Sequence, residues 1–367
     1  MTMARDGRDP FPPQAPLEST SVLRALVAAH RSLAELKGVA KTIPNEGLLV
    51  STLSLQEAQS SSEVENIITT QDALYRYQLQ PESVDPASKE VARYADGLQV
   101  GYRAVRETGL LTLNTILRIQ AVLEGNDAGF RRTPGTVLRN EGTGEVVYQP
   151  PSPERVPELM AELEHYLHAE GPDDPLVRMA VAHHQFETIH PFYDGNGRTG
   201  RIINILFLVR EGLLDSPILY LSRYVSQTKL QYYEELQKVR ETGEWESWLL
   251  YLLNGVEVTA RHTTGLVQAI GQLLQQYKHH IRANYRFYSQ DLINNIFRHP
   301  YTKVAFVEKD LAVSRATAAR YLDALAEGGI LDKHRLGREN YYINREFVRL
   351  LFDLPPMDIG QAGSRNP

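Results

Sequence analysis

The sequence predicts a mainly α protein: a helical core that carries one β-hairpin, followed by a C-terminal winged-helix module. Three observations lead there. Apolar residues recur at three- and four-residue spacing through most of the 367 residues. Two short β-prone runs flank a glycine-containing turn at 136–149. Residues 302–343 have the outline of a short helix, a tight turn, a capped second helix and an alternating hairpin.

Taken in order, residues 1–17 (rich in proline) read as a disordered tail. Val22, Leu23, Leu26, Val27, Leu33 and Leu36 predict a helix that ends near Gly38. Residues 43–50 read as a connector broken by Pro44 and Gly47, and 53–77 as a second helical region. The polar stretch 56–62 predicts a helix end just before Glu63, with a serine as N-cap. A linker at 80–86 leads to two helices, 91–107 and 110–123, joined near Gly109. The hairpin pairs 136–139 with 145–149 around Gly142-Thr143-Gly144. Helices at 157–169 and 175–189 follow, and 202–209 is an apolar helical run. Trp245, Trp248, Leu249, Leu252 and Leu253 give a core-facing helix, and 265–285 a connecting one. Residues 302–310, 311–313 and 314–327 form the helix-turn-helix, Gly328-Gly329 stops it, and 330–343 is a wing that turns at Gly337. The expected organisation is therefore 1–17 tail, 18–108 N-terminal helical region, 109–260 core, 261–290 connecting helix, 291–352 winged helix and 353–367 tail.

Composition narrows the function. Hydrophobic residues at 42% and charged at 23% suit a soluble globular protein, and zero cysteines exclude a disulfide framework or a thiolate metal site. A net charge of −6 gives no global pull toward nucleic acid. No apolar run reaches membrane-spanning length and the N-terminus has no apolar leader segment, so no membrane association and a cytoplasmic location are expected.

Chemistry concentrates at 190–201, HPFYDGNGRTGR. Gly195 and Gly197 flank Asn196, which lets successive N–H groups turn into one anion-holding nest, and the following helix aims its N-terminal dipole at the same anion. Arg198 and Arg201 stand three residues apart on one face of that helix's first turn, where two guanidinium forks can clamp a polyphosphate. His190 at the edge suits a base near neutral pH. A rival pattern exists, since Glu162-x-x-His165 and Glu187-x-x-His190 are pairs of the kind found in di-iron bundles. Pro191 ends the helix directly after His190, however, and iron gives no use to the glycine loop. His183 and His184 read as packed residues rather than zinc ligands.

The stretch HPFYDGNGRTGR resembles the signature of the Fic family, HPFx[D/E]GNGRxxR, with every fixed position filled. The resemblance implies transfer of AMP from ATP to a hydroxyl side chain of a protein. It implies His190 as general base, Asp194 as a ligand to Mg2+, and Gly195, Asn196, Gly197, Arg198, Thr199, Gly200 and Arg201 as the nucleotide cradle, with the Asn196 side chain on phosphate, Arg198 on the β-phosphate and Arg201 on the γ-phosphate. Tyr232 and Tyr233 resemble a pair that approaches the adenosine, although Arg240 stands where some relatives place an asparagine. The hairpin, with Val146, Val147 and Tyr148, resembles the flap that docks the target as an added strand.

A second segment, Ser61-Ser62-Glu63-Val64-Glu65-Asn66, is similar to the inhibitory motif [S/T]xxxE[G/N] of that family, carried here by Ser61, Glu65 and Asn66. By that resemblance Glu65 pairs with Arg201 and puts a negative charge where a triphosphate must go. The expected activity is thus an autoinhibited adenylyltransferase acting on a protein, with auto-modification and a homodimer both compatible with the sequence. Two alternatives stay open: removal of AMP, and a nucleotide-sensing regulator that binds DNA through the winged helix. Nine basic against seven acidic side chains between Arg298 and Glu346 make a thin footprint for DNA, which favours protein contact for that module.

Overall fold

The protein is described by a computed structural model covering residues 11–14, 16–79, 85–139, 142–336, 339–352 and 357. Most of the N-terminal tail, the 80–84 part of the expected linker, the wing turn at Gly337 and nearly all of the C-terminal tail lie outside the described residues.

Two long helices make the spine. Helix α1 (Thr20–Ala40) buries Val22, Leu26, Ala29, Leu33 and Leu36, a stripe at helical spacing, along α11 (Glu246–Asn284). Ser19 starts α1 by accepting the Val22 N–H at 3.3 Å. The helix ends at Ala40, two residues past Gly38 and near the expected end.

Helix α2 (Glu46–Val64) departs furthest from the sequence reading. It begins inside the expected connector and passes through 56–62 without a break. Those polar residues are buried rather than exposed: Glu57 meets the Tyr94 hydroxyl at 2.9 Å and the Ser222 N–H at 3.1 Å, and Ser61 is fully covered. A helix packed on several sides has no outer face to show polarity, so a polar run inside it mimics a helix end.

Helix α3 (Gln71–Leu79) follows, then α4 (Pro86–Thr108) and α5 (Leu113–Glu124), joined through Gly109 at φ 70° as expected. Strands β1 (Leu138–Arg139) and β2 (Val146–Tyr148) pair antiparallel as the hairpin, shorter than the sequence suggests. Helices α6 (Val156–His168), α7 (Pro175–Ile189) and α8 (Asn196–Arg210) then complete the wall beneath the signature loop, with α8 packed against α7, α4 and α5. Short α9 (Ser222–Gln227) and α10 (Lys229–Thr242) lead into α11. Helix α11 crosses residues 260 and 261 unbroken, so the expected core and connecting helix are one rod.

The C-terminal module runs α12 (Gln290–Arg298), β3 (Tyr301–Lys303), α13 (Val304–Leu311), α14 (Arg315–Glu327), β4 (Asp332–Leu336), β5 (Glu339–Ile343) and α15 (Arg345–Phe352). The sheet order is β3-β5-β4, all antiparallel, which is the winged-helix topology the sequence predicts. Thr302 lies in β3 rather than in the first helix, which starts at Val304. The module rests on α2 through α12 and on α3 through β3, where Tyr301 stacks on Tyr75 at 5.0 Å and bonds Asp72 at 3.0 Å. Among the described residues, no helix is long and apolar enough to cross a membrane.

Candidate active site

Helix α7 ends at Ile189, and His190 takes the left-handed conformation at φ 49° while its N–H still bonds Phe186 O at 2.9 Å. The last carbonyls of a helix need donors, and two arginines supply them. Buried Arg131 donates from Nε to His190 O at 2.8 Å and from its terminal nitrogen to Pro151 O and Ile189 O, so one side chain ties the loop after the hairpin to the signature loop. Arg240 donates to Glu187 O at 3.1 Å and to Thr188 Oγ1 at 3.3 Å. Burial, then the Arg240 and Arg131 charges, push the His190 pKa down to about 4. The imidazole is therefore neutral at physiological pH, with a buried Nδ1 that has no partner among the described residues.

Past His190 the chain turns into α8. Gly195, at φ 77°, adopts a backbone conformation that a side chain would oppose, and α8 begins one residue later. The Asn196 side chain closes this turn: its Oδ1 accepts the Phe192 N–H and its Nδ2 donates to Phe192 O, each at 2.9 Å. The side chain thus shapes the loop as well as lying at the expected phosphate site, with one of its two Nδ2–H donors used on Phe192 O. The unbonded N–H groups of the first turn remain as the anion-facing donors. Thr199 and Gly200 lie on the inner side of the cradle. Both are fully buried behind it, where Gly200 allows α7 to approach so closely that a Cβ would lie 2.8 Å from Glu187 Oε1.

Arg201 gathers the inhibitory segment as the spacing suggests. Its Nε donates to Ser61 Oγ at 2.8 Å, and its terminal nitrogen to Ser61 O at 2.9 Å and Glu65 Oε1 at 2.7 Å. Ser61 lies one turn inside the C-terminal end of α2 and Glu65 at its cap, so i and i+4 fall on one face. A Cβ built on Gly197 would collide with Glu65 Oε1, which places that carboxylate directly over the first turn of α8. Burial alone would raise the Glu65 pKa, but the Arg201 charge and hydrogen bond, followed by Arg198 and Lys229, hold it below the usual carboxylate range. For Arg201 burial works against the charge, yet Glu65 outweighs it and keeps the guanidinium protonated. Asn66 adopts φ 61° and accepts from Lys229 Nζ at 3.0 Å, fixing the chain just beyond the glutamate.

Arg198 is held differently from expectation. Its two terminal nitrogens bind Glu90 at 2.5 Å and Glu124 at 2.9 Å, with Asp194 at 3.8 Å, leaving only Nε without a partner among the described residues. Asp194 itself is 79% exposed at the rim and accepts the Gly195 N–H at 2.7 Å. Tyr232 is buried with its hydroxyl on His183 at 2.8 Å, so it packs under the site, whereas Tyr233 is exposed on α10. Tyr148 likewise turns inward to Thr188 O at 3.1 Å under the Arg240 guanidinium, and anchors the hairpin. Val146 and Val147 stay exposed at its edge, and Gln237 reaches Val147 O at 3.4 Å.

Sequence reasoning missed Arg131, Glu90, Glu124 and Glu187. No local pattern marks the first three, which act across distant helices. Glu187 stood in the Glu-x-x-His pair weighed for iron; it is buried beneath Gly200 with an Oε1 that has no partner among the described residues, and burial pushes its pKa up to about 7.

Comparison with known proteins follows the same lines. Residues 23–103 match the Fic/DOC family N-terminal region, 110–208 the Fic/DOC family, and 273–347 the domain described as protein adenylyltransferase SoFic-like, C-terminal. Protein adenylyltransferase fic-1 of Caenorhabditis elegans is 30% identical over 169 residues, 44% of this chain and 30% of that protein. Protein adenylyltransferase Fic of Drosophila grimshawi is 33% identical over 132 residues, 34% of this chain and 26% of that one. The matched segments thus span less than a third of these relatives. Among solved structures, a Fic family protein from Desulfovibrio desulfuricans G20 superposes with a TM-score of 0.56 at 20% identity, covering 90% of this chain and 98% of that one. Fic-1 of C. elegans, residues 134–508, gives 0.52 at 21% identity over 68% and 74%. At such identities the two structures establish a shared fold.

Proposed function

We propose that the chain, with its matches to the Fic/DOC family over residues 23–103 and 110–208, is an autoinhibited protein adenylyltransferase that moves AMP from ATP to a Ser, Thr or Tyr hydroxyl of a protein. One observation carries the reading: the Glu65 carboxylate sits on Arg201 and over the first turn of α8, where an anion would bind, beside a neutral His190.

With Glu65 withdrawn, the Arg201 fork and the first-turn N–H groups of α8 engage the terminal phosphates. Arg198, anchored by Glu90 and Glu124, turns its free Nε–H to a phosphate oxygen. The target segment lies along the exposed edge at Val146 and Val147 and presents its hydroxyl to His190. The hydroxyl proton passes to the imidazole as the oxygen attacks the α-phosphorus in line, and the bond to the bridging oxygen breaks to release pyrophosphate. Asp194 offers a hard, exposed oxygen at the rim. A Mg2+ ion, if held there, would neutralise phosphate charge.

Intact-mass spectrometry of the Glu65→Gly variant after incubation with ATP and Mg2+ tests the reading. It should gain the mass of AMP on a hydroxyl residue; a variant that binds ATP and gains no such mass, alone or with cell extract as acceptor, would overturn it.

A further inference from the structure

The sequence alone gives the winged-helix module a thin basic excess, but the structure changes that count by sorting paired charges from unpaired ones. Five acidic side chains are satisfied internally. Asp310 pairs with Arg298 at 3.8 Å, Asp323 with Lys333 at 2.6 Å, Asp332 with Arg345, Glu339 with Lys303 at 3.6 Å and Glu346 with Arg349 at 3.0 Å. Of the remainder, Asp291 opens α12, Glu308 is partly covered on α13, and Glu327 lies at the far end of α14. Lys309, Arg315 and Arg320 make no ion pair among the described residues. Neither do Lys278 and Arg282 in the last turns of α11 or Arg286 just beyond it, all in the stretch the sequence reading assigned to a separate connector. Over 273–352 the chain holds thirteen Lys and Arg against eight Asp and Glu, although its net charge is −6.

Arg315 and Arg320 are exposed on α14, Lys309 on α13, and Arg286 just beyond α11. Ala312, at φ 52°, closes α13, and Ser314 caps α14 by accepting the Thr317 N–H at 3.2 Å. The capped helix buries Ala318, Leu322 and Leu325 and turns Arg315, Ala316 and Arg320 outward. Phe287 stacks on Tyr321 at 4.3 Å, and the Arg320 guanidinium lies 5.6 Å from the Tyr321 ring, which brings Arg286 beside α14. Helix α14 packs on α13 and β4 within its own module, so its outer side stays open. Exposed Ala316 and half-covered Ala319 leave that side shallow, and an approaching duplex meets backbone and guanidinium groups with no bulky side chain between.

We propose that the N-terminal half of α14, the turn before it and Arg286 just beyond α11 form a surface for the phosphate backbone of double-stranded DNA. A 13-residue helix presented by a capped turn is about 20 Å long, and suits a major groove about 12 Å wide. Helix α14 carries no Asn or Gln, the residues that read adenine, and its arginines are assigned to phosphate, which carries no sequence information.

The test is fluorescence anisotropy of a labelled duplex of random sequence, titrated with the full chain across a salt series. With about four phosphates neutralised, log affinity should fall with a slope of about −3.6 against log salt, or about 50-fold between 50 and 150 mM. Arg315→Glu with Arg320→Glu should lose binding, Lys309→Ala should flatten the slope by about one unit, and Arg345→Gln, whose partner is Asp332, should bind as the parent does. Thermal melts establish that each variant is folded, and labelling of Glu65→Gly by ATP should be unaffected by the surface changes. Absence of binding at 50 mM salt, equal binding by the double charge reversal, tighter binding of single-stranded RNA, or displacement of the duplex by a poly-glutamate peptide at equal charge would each overturn the proposal.

Discussion

Replacing Glu65 by glycine should convert a protein that excludes ATP into one that binds it, and the structure sets the size of the change. The Glu65 carboxylate is 2.7 Å from Arg201 and overhangs Gly197. A terminal phosphate seeking the same donors would come within about 4 Å of it, and two like charges at that distance near a protein surface repel by about 4 kcal/mol. Part of that is offset, since Arg201 also loses a partner in the variant. A net gain of about 3 kcal/mol remains, or about 100-fold in affinity. Isothermal titration with ATP and AMP reads it directly. AMP lacks the phosphates that compete with Glu65, so its affinity should move little while that for ATP rises. Glu65→Gln, which keeps an acceptor and removes the charge, should fall between parent and glycine variant. Equal gains for ATP and AMP would mean that Glu65 merely crowds the cleft, and no gain for either would refute charge competition altogether.

His190→Ala should bind ATP as its parent does in the Glu65→Gly background yet transfer AMP about 100- to 10,000-fold more slowly, measured in single turnover. A His190 pKa lowered to about 4 means that the base form persists well below the ordinary histidine range. The acid limb of kcat/KM should therefore stay flat from pH 8 to about 5 and descend only toward 4; a midpoint near 6.5 would show a solvated imidazole. Arg131→Ala strands the Ile189, His190 and Pro151 carbonyls and should destabilise the fold by about 2–4 kcal/mol, seen as a lower Tm.

Much of this site could be read from the chain because its chemistry is local. The 190–201 loop, the Ser61–Glu65 spacing and the hairpin each lie within a few residues, and short-range geometry decides them. The rest depends on partners far along the sequence. Ser61 looks like a helix breaker until Arg201, 140 residues away, fills its hydrogen bonds. Arg198 looks free until Glu90 and Glu124 close on it from α4 and α5. The Asn196 amide and the Tyr148 hydroxyl both bond backbone, partners that only folded geometry reveals. Helix α11 runs through Gly255 and Gly271 because tertiary packing wants small residues there: a Cβ would lie 2.7 Å from the Tyr224 ring in one case and 3.3 Å from Ile43 in the other. Glycine in a sequence marks close approach as readily as a turn.

The most direct measurement of the central claim is the fate of individual phosphates. Glu65→Gly protein is incubated with Mg2+ and ATP labelled at either the α or the γ position, with and without His190. The α-label should enter protein in step with release of pyrophosphate, the γ-label should never do so, and loss of the imidazole should slow both transfer and release by about 100-fold or more. Incorporation of γ-label, or undiminished α-labelling without His190, would contradict that claim.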